Sequence, residues 1–485
     1  MTAFDLLVIG GGITGLAVAR LASRNGYRCV VLERADLASG ASSNSSHMLH
    51  GGLRYLEHGR FSLVREALAQ RSAVSRMAPG LARPQRFLVP LYRGGRLPPW
   101  KLRIGLALYD RLAGAANLAP HSMARASEAL ALEPDIERSG LKGAGFYSDV
   151  VMDDARLAVA VGRDAAGHGA EIHTYTEACA ARPGEDGAIE VIAIDRLSGA
   201  QQSFHARVVV NAAGPWADEV RRVLFRSLSP GAPNPASLLR PSRGIHLVYP
   251  RLTRGHAMLL TARADGRVFF VVPFGEHSLV GTTEVEVPSP PPPSAARPSL
   301  EEVRYLRDEL ARALPGRSGT PPLAVTSGLR PLVDSEADVG RASREHRVVE
   351  EGPVITVAGG KYTTFRVIAR DALRHVVRRL GHEGRPLRDP ADPLPAPLAP
   401  GAPLERIAEF AVEHEFARRL SDVVRRRTTL WLEPDRGRVS APRIAAAMAP
   451  RLGWSAEHAR AEFQSYDAAL WEEESLLHRS REEPG

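Results

Sequence analysis

The chain has 485 residues, 63 basic and 55 acidic, with 44% hydrophobic and 24% charged positions. This ordinary globular usage excludes disorder and collagen-like repeats, and two cysteines, Cys29 and Cys179, exclude a disulfide framework or a four-cysteine zinc site. The net charge of +8 favours anionic substrates or an anionic membrane surface, while the lack of a long basic run, zinc-finger or RNP-like pattern argues against nucleic acid.

The length corresponds to two or three domains of about 150 residues. No apolar run reaches the roughly 18 residues of a membrane span. The N-terminus lacks a basic n-region, and its apolar stretch runs straight into glycines, so no signal peptide is expected. A cytoplasmic protein, or one peripheral to a membrane, is the expectation. Only Lys101, Lys142 and Lys361 are lysines. Where arginine fills nearly every basic position, a surviving lysine is a candidate for chemistry.

Phe4 to Ile9 reads as a buried strand of a parallel sheet. Gly10, Gly12 and Gly15 follow as G-x-G-x-x-G, then a helix over Ile13 to Arg24 and a second strand over Arg28 to Leu32, ending at Glu33. Gly10 permits the tight turn, Gly12 lets backbone approach a pyrophosphate, and Gly15 lets helix and strand pack closely. The helix N-terminus faces the phosphates, and Glu33 suits the adenosine ribose while disfavouring a 2′-phosphate. This is a dinucleotide site. The small, hydroxyl-rich stretch Ala38 to Ser46, with Ser42, Ser43, Ser45 and Ser46 as candidate donors, suits a long cofactor such as FAD better than NAD.

The next segment is His50-Gly51-Gly52-Leu53-Arg54-Tyr55-Leu56-Glu57. With the serine-rich loop it resembles the signature of FAD-dependent, membrane-associated glycerol-3-phosphate dehydrogenases. The resemblance continues through Met77-Ala78-Pro79, Pro98 to Lys101, Tyr147-Ser148-Asp149, Asp153 to Leu157, and Val208 to Trp216. Gly281 to Glu284, Ser327 to Leu332, and Gly359 to Thr364 complete it. His47 stands where the family commonly has Lys, and Glu284 where Asp is usual. The C-terminal helical domain reads as about half its family length.

The resemblance implies an α/β fold: an FAD-binding Rossmann-like domain of the glutathione-reductase/D-amino-acid-oxidase type, an α+β substrate domain and a short C-terminal helical domain. The cofactor domain is expected from 1–75, 150–225 and 325–385, with the substrate or cap domain from 76–149 and 226–324. A Pro/Ala-rich linker, 386–404, leads to the helical 405–485. Ser299 to Glu302 is a capping box for a following helix.

The implied reaction oxidises sn-glycerol 3-phosphate to dihydroxyacetone phosphate, with C2 hydride passing to flavin N5 and electrons then to quinone. It needs cations for a phosphate dianion, a base and a fixed flavin. Arg330 and Arg54 are the phosphate candidates, since arginine offers a fork of donors; Arg344 is a weaker one. His246 is the favoured base, because imidazole titrates near physiological pH; His50 competes for that role, and Tyr55 could orient substrate or proton. Gly51, Gly52, Leu53, Ala213, Gly214, Gly359, Gly360 and Thr363 are expected to pack the flavin. Lys361, before a helix opening at Thr363-Thr364, would reinforce stabilisation of negative charge on the flavin. No metal cluster is expected.

Two alternatives stand beside this reading: a related flavin oxidase using oxygen or an amine substrate, and a non-catalytic FAD-binding protein. The expected partners are the phosphate substrate, quinone and an anionic membrane on the inner face of the cell membrane, with a second copy in a homodimer as a further option. The segment Pro99 to Leu112 carries Trp100, Ile104, Leu108 and Leu112 on one helical face beside Lys101, Arg103 and Arg111. That basic amphipathic pattern suits the headgroup region.

Overall fold

The computed structural model describes residues 3–184, 187–334 and 346–482. Arg344 therefore lies outside the described residues.

The short apolar runs near the N-terminus form the centre of an eight-stranded sheet. Phe4–Ile9 lies between Cys29–Leu32 and Gln201–Asn211, parallel to both. Val354–Gly359 extends the sheet beyond Gln201–Asn211, again parallel, and Glu171–His173 pairs with Cys29–Leu32 on the other side. Both faces of these strands are covered, which is why they read as near-continuous Val, Leu and Ile. The helices Ile13–Arg24, Asp154–Gly167 and Phe365–Arg379 pack together over one face, with Leu16, Leu157, Ile368 and Leu373 in the core.

A second, ten-stranded sheet builds the other large unit. Its centre is antiparallel: Ala82–Tyr92 pairs with Leu141–Met152, and Ser242–Pro250 pairs with His277–Gly281 and Ala324–Arg330. Two boundaries differ from the sequence expectation. Ala324–Arg330, expected at the edge of the cofactor domain, belongs to this second sheet because it lies antiparallel to Ser242–Pro250. Met48–Leu49 also crosses over to pair with Leu141–Met152. The two units are thereby stitched together at the segments that carry the site.

The expected capping box forms: Ser299 Oγ accepts from Glu302 N at 3.3 Å, and Glu302 accepts from Ser299 N at 3.2 Å. The Pro/Ala-rich 386–403 stretch is laid against the cofactor unit. Leu394 is buried and its N–H donates to Met77 O at 2.8 Å, while Arg163 holds Ala396 O at 2.7 Å. Four helices follow, Leu404–His414, Leu420–Arg426, Ala441–Leu452 and Ala456–Arg479.

Candidate active site

The glycine turn after Phe4–Ile9 opens one end of a cavity of about 440 Å³. Gly10 has φ +112°, and a Cβ there would lie 2.6 Å from Ala212 O. A Cβ at Gly15 would lie 2.0 Å from Gly10 O, so that glycine permits the helix–strand approach and does not line the cavity. Gly12 does line it, at the N-terminus of Ile13–Arg24, with ordinary backbone angles. Ser42 Oγ accepts from Ile13 N at 3.0 Å, fastening the serine loop across that helix start. Glu33 also lines the cavity; its carboxylate accepts from Gly11 N at 2.6 Å and Ala35 N at 2.8 Å. Burial raises its pKa despite those two bonds.

The rest of the serine loop is held from below. Ser45 Oγ donates to Asp154 Oδ2 at 2.6 Å, and Asp153 caps the Asp154–Gly167 helix by accepting from Arg156 N at 3.0 Å. Both aspartates of the Asp153-Asp154 motif thus serve loop and helix. Ser46 and Ser45 reach the cavity, whereas Ser43 does not line it. His47 is likewise off the cavity wall, packed 4.6 Å from the Phe274 ring with Nδ1 3.4 Å from Asp154. Any effect of His47 on the cavity is therefore indirect.

The His50-Gly51-Gly52 segment divides. His50 lines the cavity, and its N–H donates to Thr363 Oγ1 at 3.3 Å. Gly51 N donates to Tyr109 OH at 2.8 Å, and that hydroxyl donates to Asp149, which also holds Arg71. Gly51, Gly52 and Leu53 do not line the cavity. At Gly52 (φ +79°) the chain turns into the short helix Leu53–His58. That turn carries Arg54 away from Arg330, onto the wall of a second, apolar groove of about 540 Å³ with Leu53. Tyr55 is turned back instead, its ring 3.8 Å beneath Lys361 Nζ. Arg54 and Arg330 thus line different hollows.

Sheet pairing places the remaining groups. Opposite Ser242 in the register stands Arg330, and opposite His246 stand Gly281 and Thr326. Arg330 Nη2 donates to Thr282 Oγ1 at 2.6 Å and Thr283 O at 3.1 Å. A Cβ on Gly244 would lie 2.1 Å from that guanidinium, and one on Gly281 would lie 2.4 Å from the His246 ring. Gly244, Gly281 and Thr282 are thus site residues that single-residue chemistry did not reveal; only their adjacency to His246 and to the Thr-Thr motif hinted at them. Arg34 was also missed; it lies 4.4 Å over the Trp216 ring, and both line the cavity.

His246 is 4% exposed. Its Nε2 lies 2.9 Å from Ser46 Oγ, and its Nδ1 is a buried nitrogen without a hydrogen-bond partner among the described residues. Burial, with the charges of His47 and Arg330, pushes its pKa down to about 3. That direction departs from the titration near neutrality expected from the sequence and favours the neutral imidazole. Ala213, Gly214, Gly359, Gly360, Lys361 and Thr363 close the cavity. Gly359 and Gly360 have φ +79° and +95°, conformations that favour glycine. The helix expected at Thr363-Thr364 begins as a short turn, Tyr362–Thr364, continued by Phe365–Arg379.

These residues fit FAD. The glycine turn and helix N-terminus suit a pyrophosphate, and Glu33, the Arg34–Trp216 pair, His50, Lys361 and Thr363 line the same cavity. Among the described residues there is no group of three His, Cys, Asp or Glu side chains that could hold a metal.

Residues 5–366 match the model of the FAD dependent oxidoreductase family, and 361–459 match the C-terminal domain of alpha-glycerophosphate oxidase. That second domain, read from sequence as half its family length, is present and takes in the 386–403 stretch. A glycerol-3-phosphate dehydrogenase of Mycobacterium leprae is 34% identical over 528 residues, covering 96% of this chain and 88% of that protein. The glycerol-3-phosphate dehydrogenase from Bacillus halodurans, solved in complex with FAD, has a TM-score of 0.75 at 23% identity, covering 96% of this chain and 94% of that one. The L-alpha-glycerophosphate oxidase of Mycoplasma pneumoniae, solved with FAD bound, has a TM-score of 0.59 at 20% identity, covering 78% of this chain and 95% of that one. From fold, cavity and sequence alike, the chain is an FAD flavoprotein that belongs to the FAD-dependent glycerol-3-phosphate dehydrogenase family.

Proposed function

We propose that the protein oxidises sn-glycerol 3-phosphate to dihydroxyacetone phosphate and passes the electrons to quinone at a membrane surface. The observation that carries the substrate is Arg330, braced by Thr282 and Thr283 in a space cleared by Gly244, beside His246 and Lys361. When bound, FAD supplies the two-electron acceptor for the C2 hydride. Arg330 takes the phosphate with its planar fork. His246 meets the substrate as the free base, and the C2 hydroxyl becomes far more acidic as the carbonyl forms, so even a weakened imidazole receives its proton. Lys361, resting on the Tyr55 ring, adds positive charge at the same end.

Anaerobic mixing with sn-glycerol 3-phosphate should bleach the flavin, and quinone should restore its colour faster than air. Restoration by air alone would favour the oxidase alternative. Arg330→Lys keeps the charge and loses the fork, so substrate binding should weaken by about 1.5–3 kcal/mol, or about 10- to 150-fold. An unchanged substrate titration of flavin bleaching removes Arg330 from the phosphate.

The membrane reading rests on the Pro99–Ala113 helix. Its buried face is Leu102, Leu106, Tyr109 and Ala113. Trp100 and Ile104 are left 66% and 60% exposed, beside the exposed Lys101, Arg103 and Arg111. Ile104 and Leu108 also line the apolar groove shared with Leu53 and Arg54. An exposed tryptophan amid basic residues suits an anionic headgroup layer, where each cation adds about 1 kcal/mol. No helix among the described residues is long and apolar enough to cross a membrane, and this exposed surface is the proposed point of attachment. Liposome co-sedimentation should be lost when Trp100→Ser, Lys101→Glu and Arg103→Glu are combined. Equal binding by both proteins rules this helix out as the anchor.

A further inference from the structure

The loop after the second strand carries Glu33 to the cavity and then buries a second carboxylate, Asp36, completely. The partners of Asp36 come from the far end of the chain. Arg427 Nη1 and Nη2 donate to its two oxygens, both at 2.7 Å, across 391 residues of sequence, and Arg426 Nε donates at 2.5 Å. Arg427 also donates to Glu415 O at 2.6 Å, and Glu415 takes a two-pronged contact from Arg156 at 2.7 and 2.8 Å. Arg426 reaches Asp422, which also accepts from Tyr175 OH, each at 2.8 Å.

The backbone repeats the pattern. Thr176 N donates to Glu33 O at 2.7 Å and Tyr175 N to Ala35 O at 3.0 Å, while Thr174 Oγ1 donates to Phe416 O at 3.0 Å. Ala38, Tyr175 and Phe416 all hold positive φ, at 61°, 58° and 63°. Non-glycine residues keep that conformation only where their surroundings over-determine it. The 33–38 loop is therefore gripped between the 174–176 turn and the end of the Leu420–Arg426 helix. The path to the cavity is short: Arg427 holds Asp36, Ala35 N holds Glu33, and Glu33 holds Gly11 N.

We propose that Arg427, with Arg426, is a positioning residue for the cofactor: the C-terminal domain fixes the 33–38 loop so that Glu33 is presented to the adenosine ribose of FAD. The proposal rests on the reading of Glu33 as the ribose contact. A buried carboxylate stripped of its arginine is costly unless it hydrates. Without Arg427, Asp36 keeps only Arg426, which loosens the loop and with it Glu33, three residues away.

The test uses holoenzyme. FAD release on dilution is followed by the gain in flavin fluorescence, and ADP, the non-flavin part of FAD, is titrated as a competitor of reloading. Arg427→Met should speed FAD release and weaken ADP each by about tenfold or more, and Arg427→Lys should recover part of both. Arg436→Met provides the structural control. Arg436 is equally buried in the same C-terminal domain, bonded to Trp431 O and Glu473, without touching Asp36; it should lower the melting temperature and leave ADP competition near normal. If Arg427→Met does not fold, Arg426→Gln at the rim of the cluster takes its place with the same expectation. Normal ADP competition in these arginine variants, or equal weakening by Arg436→Met, overturns the proposal. Glu33→Gln separates the underlying reading: ADP unaffected by that change means the ribose is held elsewhere, whereas ADP weakened by Glu33→Gln but not by Arg427→Met defeats the positioning role alone.

Discussion

Replacing His246 by glutamine should slow bleaching of the bound flavin by glycerol 3-phosphate about 100- to 10,000-fold, the usual worth of general-base help. FAD should stay bound, because His246 contacts Ser46 and is not part of the glycine turn and helix N-terminus that suit the pyrophosphate. Glutamine can keep a hydrogen bond to Ser46 Oγ but cannot take a proton. The space around the ring is tight, since a Cβ on Gly281 would nearly touch it, so glutamine is the variant that disturbs packing least. The depressed pKa gives the pH dependence a sign. A group whose folded pKa lies at about 3 remains deprotonated as pH falls through the ordinary imidazole range. At saturating substrate the wild-type bleaching rate should therefore persist between about pH 8 and 6.5. Stopped-flow absorbance decides both points. A normal rate in His246→Gln transfers the base to His50, and a rate falling with a midpoint near 6.5 refutes the depressed pKa.

The second large effect is at Gly12. Gly12→Leu should yield folded but colourless protein. The backbone there is φ −77°, ψ 175°, which any residue adopts, and a Cβ would meet only Ser42 Oγ at 3.2 Å. The side chain would instead fill the cavity beside the helix N-terminus, where the pyrophosphate must lie against bare backbone. Gly10 and Gly15 behave differently. Their Cβ atoms would run into Ala212 O and Gly10 O, so substitution there should damage the fold itself. Absorbance at flavin wavelengths, with thermal melting as the check on folding, separates the two. A fully yellow Gly12→Leu protein would place the pyrophosphate elsewhere.

Much of this was legible in the chain. The strand–glycine–helix–strand–acid run at 4–33 fixes its own structure, because each requirement falls on neighbouring residues: a left-handed turn at Gly10, close packing at Gly15, a strand end at Glu33. The capping box at Ser299 is local in the same way, as are the tight turns at Gly359 and Gly360. Motif order also identified the family and its cofactor. Tertiary structure decided which side chains meet. Arg54 and Arg330 are both arginines in strong motifs, yet a turn at Gly52 sends one to a separate groove, while antiparallel register sets the other beside Gly244 and Thr282. The ionisation of His246 depends on burial that strand alternation does not disclose: Ile245 and Leu247 enter one core, Val248 another, and the histidine between them is covered as well. Nothing local pairs Asp36 with Arg427; only the fold brings them together from positions 391 apart. Backbone conformation answers to contiguous residues, whereas side-chain direction, solvent exclusion and charge pairing answer to whatever the sheets and the final helices bring alongside.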